Sequence, residues 1–299
     1  MVIGSSNTDM IIKSDRIPSP GETILGGKFQ MMPGGKGANQ AVAIARLGGR
    51  VSFVSRVGKD WLGDETKAQL ETVGVDLTHF HQDESESSGV ALIMVSREGS
   101  NCISVAPGAN ALLSEIDISA ASDEIGAAEL LLTQLEVPLS TVQSAVSLAQ
   151  EKGVTVVLNP APAQKLPSSL LKNIDILTPN ESEAKILTGI EVHDEPSAHE
   201  AALRLRESGV ASVVITMGSS GAYVSSREWE GMVTTRSVDR VIDTTGAGDI
   251  FNGAMALGLT KGMSLQQAVS FANEAGSYSV TKMGAQSSAP SREDLQKIR

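Results

Sequence analysis

The sequence predicts an α/β fold in which helices flank a mainly parallel central sheet, with a small separate β-sheet added. Short apolar runs alternate with helical segments along most of the chain, an alternation typical of parallel strands covered by helices. Four further extended segments stand outside this alternation. With 299 residues and 41% hydrophobic content, the chain can bury a large core. No linker or internal repeat divides it, so we expect one domain over residues 1–299.

The strands of the central sheet are expected where the apolar runs fall. Their ranges are 1–3, 51–57, 130–135, 154–158, 174–177 and 213–217. Segments with helical patterning, such as 141–151 and 198–207, lie between them. A first strand of three residues is short for the centre of a sheet. We therefore expect an N-terminus that is slightly shortened.

The small sheet is expected from four segments, at about residues 9–12, 23–31, 89–95 and 101–105. A polar turn containing Gly99 joins the last two, which predicts a hairpin and an all-antiparallel group. One face of this sheet is rich in Val, Ile, Leu and Met, which a monomer would leave exposed. Either the sheet packs on its own domain or a second copy of the chain covers it. We favour the second, a homodimer.

Charge and composition exclude several classes of protein. The formal net charge is −11, which argues against nucleic-acid or anionic-membrane binding. No apolar run reaches the length of a membrane span, and no signal-peptide pattern is present, so we expect a cytoplasmic protein. The single cysteine, Cys102, excludes an internal disulfide and is expected as a packed thiol in a strand. The four histidines show no metal-ligand spacing.

The segment from Asp243 to Asp249 combines features that point to phosphoryl chemistry. Gly246 and Gly248 allow a tight turn and close approach of a ligand to the backbone. A helix begins there, so free N–H groups and the positive end of its dipole face the turn. Asp249, in the first turn of this helix, is placed to take a proton from an attacking hydroxyl. A role limited to stabilising the helix start would explain Asp249 but not the glycines before it.

A second glycine-rich segment runs from Gly34 to Gln40 and opens a helix over 38–47. It is not a Walker A loop, because Lys36 precedes Gly37 and no Ser or Thr follows. It also lacks the third glycine of the dinucleotide fingerprint, which argues against an NAD-dependent oxidoreductase. Lys36, Asn39 and Gln40 supply fixed donors beside a backbone that allows close approach. The segment therefore suits a polyhydroxylated ligand.

Two further segments carry local signals. Asn180 and Glu183 have the spacing of a capping box at the start of a helix. The turn from Thr216 to Gly221 follows an apolar strand, and its glycines permit either close approach of a nucleotide or a plain hairpin turn. The two functions of this turn are compatible.

The two glycine-rich segments, separated by about two thirds of the chain, resemble the signature regions of the ribokinase family of carbohydrate kinases. The resemblance extends over almost the whole chain, through residues 4–9, 20–23, 158–162, 178–183 and 284–290. It implies a ribokinase-like three-layer sandwich whose small sheet is a lid over the sugar and a dimer contact. It also implies ATP-dependent phosphorylation of D-ribose at the 5-hydroxyl, giving D-ribose 5-phosphate and ADP.

The resemblance assigns roles to individual residues. Asp249 is implied as the base, with the backbone N–H groups of Gly246, Ala247 and Gly248 as an anion hole. The implied sugar contacts are Asn7, Asp9, Gly35, Lys36, Asn39, Glu136 and Asp249. The implied nucleotide contacts are Asn180, Glu183, Thr216, Gly218, Ser219, Gly221, Gly248 and Asn273.

Two metals are implied as well. Glu183 organises Mg²⁺ at the phosphates, mainly through water, as suits an ion that retains several waters. A potassium ion is implied behind the anion hole, held largely by backbone carbonyls. Its residues are Asp243, Thr245, Ser279, Lys282, Gly284 and Ser288.

Two alternatives remain open at this point. One is a kinase for another sugar or nucleoside, such as fructose, deoxyribose or adenosine, because pocket shape decides the substrate. The other is a sugar-sensing protein that keeps the fold without the reaction. The presence of Asp249 argues against a sensor, which needs no base.

Overall fold

The computed structural model describes residues 1–297 and contains two β-sheets with helices around the larger one. The strands are β1 Val2–Ile3, β2 Asn7–Lys13, β3 Lys28–Gly34, β4 Phe53–Gly58, β5 Phe80–Asp83, β6 Gly89–Val95, β7 Asn101–Ala106, β8 Leu130–Thr133, β9 Thr155–Leu158, β10 Ile176–Leu177, β11 Ser212–Thr216, β12 Ala222–Ser225 and β13 Glu230–Val233. The helices are α1 Lys36–Arg46, α2 Trp61–Thr72, α3 Glu115–Ala120, α4 Ser122–Ala127, α5 Leu139–Glu151, α6 Ser168–Leu171, α7 Glu181–Thr188, α8 Glu195–Glu207, α9 Ala247–Thr260, α10 Leu265–Ser279 and α11 Arg292–Lys297.

The larger sheet confirms the predicted α/β class. Its nine strands lie in the order β13-β12-β11-β10-β9-β8-β1-β4-β5, and all are parallel from β11 to β5. Only β12 and β13, which follow tight turns at one edge, pair antiparallel. The two-residue strand β1 lies inside the sheet, between β4 and β8, and both its residues are fully buried.

Two hydrophobic clusters, one on each face of the sheet, make the fold three-layered. Successive residues of a strand point to opposite faces, so Val2 joins the cluster that includes α1, α9 and α10, whereas Ile3 joins the cluster that includes α5 and α8. The glycine-rich segments that open α1 and α9 are therefore brought together on the same face. Parallel strands present their carboxyl ends along one edge, where ligands bind in such folds.

The small sheet has the strand order β3-β2-β6-β7 and differs from the prediction in two ways. The expectation of an all-antiparallel group is wrong, because β2 and β6 run parallel. Between β2 and β6 the chain passes through β3, α1, β4, α2 and β5. It then returns to the small sheet at the end where β2 begins, so that β6 runs in the same direction as β2. Strand β3 begins at Lys28 rather than residue 23, and the residues before it include Gly26 and Gly27 at positive φ.

The outer face of the small sheet and its loops are open to solvent. The exposed large apolar side chains on one face of this sheet are Ile12, Phe29, Met31, Leu92 and Met94, whereas Ile103 and Val105 are exposed on the opposite face. Cys102 is exposed as well, so the expectation of a packed thiol is wrong: β7 packs on one neighbour only and is exposed along its length. Within residues 1–297, no helix combines the length and the apolar character needed to cross a bilayer.

Candidate active site

Helix α9 begins at a glycine turn that leaves its first N–H groups uncapped by any side chain. The N-cap, Gly246, has φ 73°, a left-handed conformation that favours glycine. A Cβ atom there would lie 2.5 Å from the Cβ of Ala285, so the turn also packs tightly against the loop after α10. Asp249 occupies the first turn and is only 6% exposed. A carboxylate and a set of backbone donors therefore share one helix start.

Close packing of α1 on α9 brings the two glycine-rich segments into contact. Gly253, one turn after Asp249, allows this approach, because a Cβ atom there would lie 2.8 Å from the Gln40 carbonyl oxygen. Asn39 Nδ2 then donates to Asp249 Oδ2 at 2.8 Å. Gln40 Nε2 donates to Asp249 Oδ1 at 3.3 Å. The carboxylate is held by one amide at each oxygen.

The pKa of Asp249 is raised, chiefly because burial disfavours the charged carboxylate. The Lys36 ammonium and the hydrogen bond from Asn39 oppose this effect but do not cancel it. A carboxylate with a raised pKa is a stronger proton acceptor than a solvated one. The position of Asp249 thus combines ligand access with increased basicity.

The expected sugar contacts gather around the start of α1. Gly35, at φ 86°, lies so close to β2 that a Cβ atom would be 2.6 Å from the Asn7 nitrogen. The Asp9 carboxylate lies over Gly34, where a Cβ atom would be 2.5 Å from its Oδ1. Glu136 Oε2 accepts the Lys36 N–H at 3.0 Å. The glycines let two carboxylates and an ammonium approach one another.

These charges perturb one another strongly. Burial, and then the neighbouring Glu136 and Asp249, raise the pKa of Asp9 to about 6. Burial acts to lower the pKa of Lys36, but the surrounding carboxylates outweigh it and raise that pKa. The Lys36 ammonium therefore offsets the negative charge of the carboxylates around it. Clusters of side chains with shifted pKa values are typical of functional sites.

A cleft of about 180 Å³ opens beside Asp249. It is lined by Lys36, Asn159, Ala161, Thr178, Asn180, Glu183, Thr216, Gly246, Gly248, Asp249 and Asn252. Residues expected for the sugar, the anion hole and the nucleotide thus meet around one space.

On the nucleotide side, the predicted capping box is present at the start of α7. Asn180 Oδ1 accepts the Glu183 N–H at 2.8 Å, and Glu183 Oε2 accepts the Asn180 N–H at 2.9 Å. Burial raises the pKa of Glu183, with Asn180 and Lys36 opposing. Within residues 1–297 no three His, Cys, Asp or Glu side chains are grouped to hold a metal ion. Glu183 alone fits a water-mediated contact with Mg²⁺ better than a direct cage.

Other expected nucleotide residues have structural contacts of their own. Gly218 and Ser219 form a 3₁₀ turn, and Gly221 packs against the Val233 carbonyl, where a Cβ atom would be 2.2 Å away. Asn273 is buried, and its Nδ2 donates to the Val233 oxygen at 2.8 Å. The turn after β11 and helix α10 are therefore both joined to the end of β13.

The two loops expected to hold potassium are joined by one carboxylate. Asp243 Oδ1 accepts both the N–H and the hydroxyl of Thr245, at 3.0 and 2.7 Å, while Oδ2 accepts the Gly284 N–H at 2.8 Å. These bonds outweigh burial and lower the pKa of Asp243, which stays ionised. Ser279 and Ser288, on either side of Gly284 in the sequence, are both buried. The Ser279 hydroxyl donates to the Gly276 carbonyl, and the Ser288 hydroxyl donates to the Ala285 carbonyl. An ionised carboxylate between two loops rich in oxygen suits a monovalent cation.

Lys282 lies on the loop after α10, with its ammonium bonded to the Tyr278 hydroxyl and 4.3 Å from the centre of that ring. Its side chain is therefore turned to α10, which leaves only its backbone carbonyl for the expected cation.

Several buried polar residues near the site were not predicted. Thr178 Oγ1 donates to Asn252 Oδ1 at 2.6 Å, and Asn252 Nδ2 donates to the Gly248 carbonyl at 2.8 Å, which braces the anion-hole turn. Asn110 and Gln134 are also buried among polar groups. The signal available in the sequence was an amide or hydroxyl inside an otherwise apolar segment.

Comparisons with known proteins give one consistent likeness. The family model described as pfkB family carbohydrate kinase matches residues 1–292. A ribokinase of Haemophilus influenzae is 45% identical over 98% of this chain and 95% of its own length. A deoxyribokinase of Salmonella typhimurium is 39% identical over 98% of this chain and 96% of its own length. The structure of Arabidopsis thaliana ribokinase complexed with ribose and ATP superposes with a TM-score of 0.92 at 32% identity, covering 99% of this chain and 97% of that one.

Proposed function

Because this chain belongs to the pfkB family of carbohydrate kinases, we propose that it transfers the γ-phosphoryl group of ATP to the 5-hydroxyl of D-ribose. The products are D-ribose 5-phosphate and ADP. The observation that carries the proposal is the buried Asp249 carboxylate at the uncapped start of α9, beside a cleft that Lys36 also lines. The ribokinase of Haemophilus influenzae at 45% identity and the Arabidopsis thaliana ribokinase solved with ribose and ATP support ribose as the sugar.

In the proposed reaction the ribose hydroxyl attacks the γ-phosphorus in line with the leaving ADP oxygen. Asp249 accepts the hydroxyl proton as the new P–O bond forms. The N–H groups of Gly246, Ala247 and Gly248 face the phosphoryl oxygens at the positive end of α9. The Ala247 N–H donates to the Thr244 carbonyl at 3.2 Å, at the long end of the normal range, and would exchange this bond for one to a phosphoryl oxygen. Donors preorganised in this way stabilise developing charge.

The proposed sugar pocket is formed by Asn7, Asp9, Gly35, Lys36, Asn39 and Glu136. Carboxylates accept hydroxyl hydrogens, and amides and the ammonium donate to hydroxyl oxygens. Because these groups are buried or half-buried, an analogue that lacks a hydroxyl leaves one of them unpaired. The pocket therefore discriminates between sugars by hydroxyl pattern.

The proposed nucleotide site comprises Asn180, Glu183, Thr216, Gly218, Ser219, Gly221, Gly248 and Asn273. Glu183 and Asn180 would hold Mg²⁺ mainly through water, and the ion would supply positive charge that offsets the charge of the phosphates. Lys36, whose ammonium stays protonated, balances part of the phosphate charge from the sugar side.

We include a potassium site in the proposal, behind the anion hole. Its residues are Asp243, Thr245, Ser279, Lys282, Gly284 and Ser288. The ionised Asp243 carboxylate, which joins the two loops, supports it. A cation there would strengthen the positive field at the turn that holds the phosphoryl group.

We further propose a homodimer in the cytoplasm, in which the small sheet acts as a lid over the sugar. The apolar side chains exposed on that sheet support a second copy as the group that covers them.

A second candidate function, phosphorylation of deoxyribose, is favoured by the deoxyribokinase relative at 39% identity.

The test of both functions is ADP release with Mg²⁺-ATP and K⁺ in the presence of D-ribose, 2-deoxyribose, fructose, adenosine or no sugar. The proposal predicts the highest kcat/KM with D-ribose. A higher kcat/KM with another compound would make that compound the substrate in place of D-ribose and would leave the proposed phosphoryl transfer unchanged. No turnover on any, with ribose still raising Tm, favours a sensor.

A further inference from the structure

Two glutamines, Gln40 on α1 and Gln134 after β8, are fully buried beside the proposed base. Fully buried glutamine is uncommon, because an amide loses hydration and must find partners inside the protein. Gln134 Nε2 donates to Gln40 Oε1 at 2.5 Å. The pair links the end of a central strand to the helix that packs on α9.

This bond and the Asp249 carboxylate, which can only accept, together determine which way the Gln40 amide points. Its oxygen is held by Gln134, so its nitrogen must face the other way, where it donates to Asp249 Oδ1 at 3.3 Å and Asn159 Oδ1 at 3.2 Å. Asn159 is oriented in turn, since its Nδ2 donates to the Thr178 carbonyl at 3.1 Å. Because a carboxylate can only accept hydrogen bonds, the donors and acceptors in the series from Gln134 through Gln40 to Asp249 all point the same way.

The space for this arrangement is provided by a glycine. A Cβ atom on Gly4, directly after β1, would lie 2.0 Å from Gln134 Oε1. The small residue lets the buried amide fit between β1 and α1. The path from the end of β8 through Gln134 and Gln40 to Asp249 therefore runs through closely packed, buried groups.

We propose that Gln40, oriented by Gln134, is a positioning residue for phosphoryl transfer: it holds Asp249 Oδ1 so that Oδ2, shared with Asn39, faces the sugar. This inference deepens the proposed function and rests on it for the kinetic part of its test. Without the Gln40 donor, the carboxylate is free to rotate about its Cβ–Cγ bond and loses one of the bonds that favour its ionised form.

The experiment compares Gln40→Leu, Gln40→Glu and Gln134→Leu with the unchanged protein. Gln150→Leu is the matched control, because Gln150 Nε2 also donates to an aspartate, Asp175 Oδ2, at 2.9 Å, but does so outside the cleft. Three quantities are measured: ribose KM and kcat as a function of pH, Tm, and the pH titration of the Asp249 carboxyl carbon by ¹³C NMR, assigned by its loss in Asp249→Asn.

In Gln40→Leu we expect kcat to fall about 10- to 100-fold with little change in ribose KM, as for loss of a bond to a charged group. The acidic limb of the kcat profile and the Asp249 titration should both move to higher pH. Gln40→Glu should move them further, and Gln134→Leu in the same direction by less. The charged groups facing Asp249 are Lys36, Glu136, Asp9 and Glu183, none of which these variants alter. Gln150→Leu should lower Tm only.

Unchanged kcat and an unchanged Asp249 titration in folded Gln40→Leu would overturn the inference. If that variant does not fold, Gln40→Glu and Gln134→Leu decide in the same way. If the unchanged protein releases no ADP with any sugar, the proposed function fails, and the NMR titration alone still decides whether Gln40 controls the state of Asp249.

Discussion

Asn110 Nδ2 donates to Asn7 Oδ1 at 2.8 Å, which joins two amides that lie 103 positions apart in the chain. Asn110 is fully enclosed: its Oδ1 accepts the Ser6 N–H at 2.8 Å and it is 1% exposed. Because the Asn7 oxygen accepts this bond, we expect the Asn7 amide nitrogen to be the group that donates to the proposed sugar. Gly89 leaves room for the pair, since a Cβ atom there would lie 2.1 Å from Asn7 Oδ1.

Replacing Asn110 by alanine should weaken ribose binding. The Asn7 amide loses the bond that orients it, and we expect ribose KM to rise about tenfold while kcat changes less. The control is Thr141→Val. This change removes a buried hydrogen bond of 2.6 Å from the Thr141 hydroxyl to the carbonyl of Leu113, three residues after Asn110, and does not involve Asn7. Both variants should lower Tm. Equal KM values in the two would show that Asn110 acts only on stability.

Asp249→Asn should fold and bind ribose but turn over slowly. Loss of a general base typically costs on the order of 10²- to 10⁴-fold in rate, and kcat for ADP release is the quantity to measure. Ribose-dependent stabilisation, read as a shift in Tm, should persist. Near-normal kcat in this variant would remove Asp249 from the role of base.

Asp9→Asn should make the protein more stable and a poorer ribose binder at pH 7.5. The Asp9 pKa is raised to about 6, so the folded state binds its proton more tightly than the unfolded state does. Stability is therefore lost as pH rises from about 4 to about 6. The substitution removes this penalty, which is at most about 3 kcal/mol, and the stability difference should disappear below pH 4. Asp123→Asn, at an exposed position outside the cleft, is the control and should leave ribose binding unchanged.

Replacing K⁺ by tetramethylammonium should lower kcat several-fold in the unchanged protein. In Asp243→Ala the same exchange should have little further effect, because the carboxylate that joins the two loops is gone. Asp239→Ala, at an exposed position four residues earlier, should retain the response. Equal ADP release in both salts for the unchanged protein would contradict the potassium site.

Analytical ultracentrifugation should give twice the chain mass of 31.2 kDa for the unchanged protein. Leu92→Asp, on the exposed face of the small sheet, should sediment as a monomer because a charge replaces buried apolar contact. Ile116→Asp is the matched control, since Ile116 is exposed on α3, outside that sheet. A monomer at micromolar concentration in the unchanged protein would refute the lid-to-lid dimer.

The sequence predicted what depends on local pattern. Apolar runs placed six of the nine strands of the larger sheet, but β5, β12 and β13 were not predicted. The glycines before Asp249 placed a helix start, because backbone conformation at such a turn is a property of a few adjacent residues. The capping box of Asn180 and Glu183 was predicted for the same reason. For most of the predicted strands and helices, the predicted first and last residues differ from the observed ones by only a few positions.

What was missed depends on contacts between distant segments. The parallel pairing of β2 with β6 follows from the path of the intervening chain, which no local pattern records. Asn110 and Gln134 acquire their importance from partners far away in sequence, Asn7 and Gln40. A polar residue in an apolar segment signals that a partner exists, but only the packing of α1 against the strands shows which one.

The bond between Asn39 and Asp249 spans 210 positions, and this separation has a consequence for biosynthesis. A chain emerging from the ribosome contains the whole of β1, β2 and α1 long before the base exists. Incomplete chains that end before α9 therefore lack the carboxylate that we propose as the proton acceptor. On the proposed mechanism, phosphoryl transfer must therefore await the synthesis of α9, which begins at Ala247.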